Sequence, residues 1–209
     1  YYGPGEDGSR HHTATPARVL DTRDGTGRPG SETAPLAAGA TLSLPLAGLH
    51  GLPAAGGYSA VVVNLTATNP TADSHLRVWP GGTASPPDAS IINFVNGQTV
   101  ANLTIARVGP DGSINIFNNS GSVHVIADLV GWYGPPGGAT GALFHPTVPY
   151  RYLDTRGNYN GGIRAGSPYR SGSPTDQLLR AWYVEPGIPF EKPSALVGTL
   201  TVDGATAGS

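Results

Sequence analysis

The chain has no cysteine and no methionine among its 209 residues. Without cysteine there is no disulfide framework, no thiolate metal site and no thiol nucleophile. Charge is scarce too, at 12% of residues, with Lys192 the single lysine and a net charge of −2. That balance, with no basic cluster, excludes a nucleic acid partner on electrostatic grounds. No apolar run reaches the roughly 18 residues of a membrane-spanning helix, and no signal-peptide pattern is present. The lack of oxidation-prone Cys and Met, with an N-terminus that lacks Met, fits a processed extracellular or cell-surface product. No window of useful length has a helical period; a short piece around Asp176 to Tyr183 is the one helix candidate.

What is abundant is glycine and proline, 31 and 20 residues. They punctuate apolar runs that alternate with polar residues, the pattern of turns in an all-β protein. Val61, Val63, Leu65 and Ala67 alternate with Asn64, Thr66 and Thr68, as in a half-buried strand. Further strands are expected at 40–46, 76–79, 91–95, 99–108, 114–117 and 123–133. Asn96-Gly97 reads as a tight hairpin turn joining two of them, and Gly109 to Gly112 as the next. Many short strands with close turns predict a β-sandwich, of jelly-roll or immunoglobulin-like type. Its expected core includes Val61, Val63, Leu65, Leu103, Ile105, Ile114, Ile116, Val123 and Val125.

The organising stretch is Arg18-Val19-Leu20-Asp21-Thr22-Arg23, which returns as Arg151-Tyr152-Leu153-Asp154-Thr155-Arg156 with one substitution. Ser59 to Ser74 aligns without a gap on Ser194 to Ser209, and Tyr2-Gly3-Pro4 returns as Tyr133-Gly134-Pro135. Each copy is displaced by roughly 130 residues, so the chain reads as two sandwich units in tandem. Residues 1–133 make a complete repeat, with Tyr1-Tyr2 resembling the tail of a last strand. Residues 134–209 carry the first half of the same unit, an incomplete second repeat enriched in aromatics.

Pro16 to Arg23, Val63 to Thr68, Asn93-Phe94, Gly97 to Asn102 and His124 to Asp128 carry a resemblance in common. Together they resemble a "VLDTR" β-repeat domain found singly or in tandem in large secreted and surface-attached bacterial proteins. The resemblance implies secretion, β structure and modular repetition. It carries over no catalytic residue.

In an extended segment Asp21 and Arg23 share one face, with Leu20 and Thr22 on the other. Such a pair could hold a polar ligand, or pair internally and fix the segment to the sandwich; recurrence of the motif favours the scaffold role for Asp21, Arg23, Asp154 and Arg156. His11, His12, His50, His75, His124 and His145 are scattered without metal-ligand spacing, so no metal is expected. Asp7-Gly8-Ser9 and Asp111-Gly112-Ser113 read as turns, lacking the alternating oxygen ligands of a calcium loop. No nucleophile elbow and no phosphate-binding glycine motif is present, which predicts neither enzyme nor cofactor. Of three sequons, at Asn64, Asn102 and Asn118, only Asn118 lies in a turn where it would be reachable.

Three classes of function remain. The first is a structural protein whose units join head to tail into a surface fibre, with strands of one unit completing the next. The joint would lie near Tyr1, Tyr2 and the cluster Tyr150, Tyr152, Tyr159, Tyr169, Trp182 and Tyr183. The second is a glycan-binding or adhesion module using Tyr150, Tyr152 and Tyr159 as platforms. The third is an accessory domain of a secreted hydrolase. The first is the expected one, with the chain itself as partner.

Overall fold

Period-two alternation buries one side of an extended chain and leaves the other to solvent, so two such sheets can close on one another. The computed structural model describes residues 8–83 and 86–142. The chain divides into two compact units, Tyr1–Phe144 and His145–Ser209, and the described residues belong to the first. Eight strands follow in order: β1 (His11–Asp21), β2 (Thr41–Pro45), β3 (Ala60–Thr68), β4 (Ser74–Pro80), β5 (Ile92–Phe94), β6 (Val100–Arg107), β7 (Ser113–Asn118) and β8 (His124–Tyr133). They form two four-stranded antiparallel sheets, β1-β8-β3-β6 and β2-β7-β4-β5.

The pairing has a simple logic. β1 pairs with β8, β2 with β7, β3 with β6 and β4 with β5, as in one long hairpin ribbon. Rolling that ribbon brings β3 against β8 and β4 against β7. This is a jelly roll, which decides between the two expected sandwich types. The segment after β8 stays with the unit: Gly134 donates to the Arg10 carbonyl, and His11 and Ala142 exchange backbone hydrogen bonds at 3.0 and 2.7 Å.

The core lies between the sheets. Val61, Val63 and Leu65 of β3, Val125, Ala127 and Leu129 of β8, and Ile114 and Ile116 of β7 have no exposed surface. Leu44, Leu76 and the loop residue Leu46 join them from the other strands. Val123, just before β8, is buried as expected.

Leu103 and Ile105 are a correction. They were expected in the core and are 54% and 55% exposed. β6 carries its two largest apolar residues, Leu103 and Ile105, on one phase and, after Val100 at its start, small or polar ones (Asn102, Thr104, Ala106) on the other. Register overrides residue size here. Leu103 lies opposite Asn64 and Ile105 opposite Val62, while Thr104 and Ala106 face Val63 and Val61, which fill the core. A shift by one residue would exchange the faces, but it would also break the eight-pair ladder with β3.

Both expected hairpins are corrections as well. β5 and β6 lie in different sheets, as do β6 and β7. Gln98 N–H closes a turn on the Val95 carbonyl at 3.0 Å, with φ of 74° at Gly97. Asn96 does not share the positive φ, so the turn is not the mirror-image type whose twist keeps two strands paired. A turn whose left-handed residue is the second of the two central ones splays its arms instead. Asn96 N–H is pinned to the Asp73 carboxylate at 2.8 Å and Gly97 N–H to the Pro70 carbonyl at 2.9 Å, turning the chain across the sandwich. At Gly109 to Gly112 a second closed turn makes the same crossing.

Candidate functional site

The repeated LDTR stretch sits at the end of β1, where the chain leaves the sheet. Arg18 stands opposite Asp128, Leu20 opposite Ala127 and Asp21 opposite Ile126, so Val19 is an extra residue in the ladder. That bulge sets the geometry. In a regular strand residues three apart point to opposite faces, but the extra residue brings Arg18 and Asp21 onto the same face, away from the core.

Asp21 is 1% exposed although it is on the outward side, because two guanidinium groups cover it. One carboxylate oxygen, Oδ1, accepts from the Arg23 backbone N–H at 3.0 Å and from Arg23 Nε at 2.9 Å. The other, Oδ2, accepts from Arg23 Nη2 at 2.7 Å and Arg18 Nη1 at 3.2 Å. A carboxylate offers about four lone-pair directions, and four donors take them. The two-pronged hydrogen bond from Arg23, ahead of its charge and that of Arg18, holds the Asp21 carboxyl down at about 2. Arg18 turns its other edge to Asp128, with Nε 3.0 Å from Oδ1. The result is a chain Arg23–Asp21–Arg18–Asp128 that ties the end of β1 to β8.

The neighbouring residues are used just as fully. Thr22 is wholly buried; its N–H donates to the Val125 carbonyl and its Oγ1 accepts from the Val125 N–H, each at 3.0 or 2.9 Å. The same hydroxyl lies within hydrogen-bond distance of His124 Nδ1, at 2.9 Å. Asp24 accepts from Thr26 N–H, and Thr26 in turn accepts from Asp21 N–H. Gly25 and Gly27 both have positive φ, and a Cβ on Gly27 would run into the Val19 carbonyl. The turn therefore packs back on the bulge it follows.

The structure thus brings Asp21 and Arg23 together as a bidentate pair. It adds Arg18, Asp128, Thr22 and His124, which reasoning from the motif alone passed over. A signal for Arg18 was present, since Arg151 repeats it. Asp154 and Arg156 lie outside the described residues, as do Tyr1, Tyr2, Tyr150, Tyr152, Tyr159, Tyr169, Trp182, Tyr183 and His145.

Elsewhere several polar groups are also spent internally. Asp111 accepts from the Ser113 N–H and hydroxyl, which lowers its pKa and makes the Asp-Gly-Ser stretch a closed turn. His12 stacks on Trp132 at 3.8 Å, and His11 meets Tyr133 edge-on. His75 accepts from Arg77 Nε at 3.0 Å; burial, and then the Arg77 charge, lower its pKa. Among the described residues no three His, Asp or Glu side chains gather as metal ligands, and no buried side-chain polar atom lacks a partner.

Asn118 is a correction. It was expected to be the reachable sequon, yet it is fully buried. Its amide donates to the carbonyls of Leu36, Ala37 and Gly121 and accepts from Ser74 Oγ, so it knits three loops together. Compared with known proteins, the chain matches no family model and no curated protein sequence.

Proposed function

We propose that this chain is a non-enzymatic structural repeat of an extracellular surface fibre, its units joined head to tail. The observation that carries the reading is the closure of the LDTR corner. All four acceptor directions of Asp21 are taken by its own chain, leaving none for a ligand or a reacting proton. A motif that recurs in a tandem copy and is saturated within its own unit serves the scaffold, not a ligand.

The second repeated stretch fits the same role. β3 is hydrogen-bonded on both sides, by β6 and by β8, and Ser194 to Ser209 repeats its sequence. Units of such a repeat can join by strand complementation, which gives polymers by main-chain bonding. A contact of that head-to-tail kind does not close on itself and so propagates. Purified 209-residue chain, followed by light scattering over a concentration series, tests this. Growth into linear polymers supports the proposal. A monomer at every concentration, or turnover of a glycan substrate, would sink it.

A further inference from the structure

We infer that the free edge of β6 is a second interaction surface, which pairs with β6 of another copy about a two-fold axis. The inference rests on the fibre reading for its strength and supplies the contact between fibres.

Each of the two sheets has two edge strands, and they are not alike. β1 is broken by two register irregularities, contains Pro16, and is flanked at its ends by bridges to Ala142 and Thr26. β2 is five residues long and ends in Pro45; β5 is three residues long. These are the devices by which edges are kept from pairing. β6 has none of them. It runs eight residues without proline, pairs with β3 without a register shift, and no described residue pairs with its other side.

The bonds to β3 decide which groups the free edge offers. Val108 N–H donates to the Ser59 carbonyl, so every second residue back from it (Ala106, Thr104, Asn102) also directs its backbone groups toward β3. The backbone groups of Ala101, Leu103, Ile105 and Arg107 therefore face outward. The side chains of Leu103 and Ile105 are also the exposed apolar ones.

This pattern is self-complementary about Thr104. In an antiparallel pair centred there, Leu103 meets Ile105 of the second copy, and Ile105 meets its Leu103. Arg107, the one charged residue of the strand, meets Ala101 of the second copy, so the two cations lie at opposite ends. Shifting the register by two residues in either direction places one of the large apolar residues opposite Ala101 or Arg107. The area sets how such a contact is used. Eight residues span about 27 Å, and a layer about 10 Å deep gives on the order of 500 Å² in total. That is well under the roughly 1,200 Å² of a stable interface, so a lone pair is weak. Along fibres the contact repeats, and the effective concentration of each successive pair rises.

The absence of cysteine makes the test clean. Thr104 would face its own copy across a non-hydrogen-bonded pair with Cα atoms about 4.5 Å apart, within disulfide range. The full chain carrying Thr104→Cys, under oxidised glutathione, is expected to form covalent dimer about tenfold faster or more than Thr41→Cys on the β2 edge. Leu103→Cys and Ile105→Cys should both be slower than Thr104→Cys. Adding Ile105→Lys should bring the Thr104→Cys rate down to that of Thr41→Cys at an unchanged melting temperature. Equal rates for Thr104→Cys and Thr41→Cys, or fastest cross-linking at position 103 or 105, overturn the inference. Polymers that persist without any cross-link sink this contact alone and leave the fibre reading standing.

Discussion

Replacing Asp21 by Asn removes one charge and little else, which makes it the sharpest probe of the LDTR corner. The amide keeps one oxygen and can still accept from the Arg23 N–H and Nε. At the other position an NH₂ group now meets Arg23 Nη2 and Arg18 Nη1, donor against donor. The carboxyl titrates at about 2 instead of 3.8. At about 1.4 kcal/mol per unit, that shift corresponds to about 2 kcal/mol of stability near neutral pH. Two charge-assisted hydrogen bonds are worth more in isolation, but both arginines are nearly half exposed and can rehydrate. A loss of about 2–3 kcal/mol is therefore expected, or very roughly 10 °C in melting temperature. Because the folded-state pKa is depressed, the contribution is present above about pH 4 and fades as pH falls toward about 2. Urea titrations of the two proteins should thus show a gap at neutral pH that narrows on acidification. A gap that is absent, or constant with pH, would refute the ion-pair account of this corner.

Other consequences follow from burial and register. Leu103→Ala and Ile105→Ala should each change stability by under about 0.5 kcal/mol, as surface residues, whereas Ile114→Ala should cost about 2–5 kcal/mol; paired urea titrations give both values. Asn118→Asp places a carboxylate against three carbonyls in a fully buried site, so a loss of about 3–5 kcal/mol is expected near neutral pH. That loss should shrink in acid as the new carboxyl, its pKa raised by burial, takes up a proton, and thermal melts against pH check the direction.

The β-sandwich was legible where one face of a strand is apolar and the other is not. Val61, Val63 and Leu65, alternating with Asn64, Thr66 and Thr68, show this in β3. β6 was not, because its larger residues lie on the outward phase and only pairing with β3 reveals which phase faces the core. Asn96-Gly97 misled for a related reason. The dipeptide permits a hairpin turn but does not require one, and the pins from Asp73 and Pro70 select a different turn. At the LDTR corner the Asp21–Arg23 pair could be read from spacing. The part played by Arg18 could not, since it depends on a bulge that brings residues three apart onto one face.

The central proposal is that this chain joins copies of itself. Electron microscopy of the native material, labelled with antibody against residues 8–142, tests it most directly. The account predicts label spaced at regular intervals along uniform filaments. Label on isolated particles, or on a larger protein that never assembles, would contradict it.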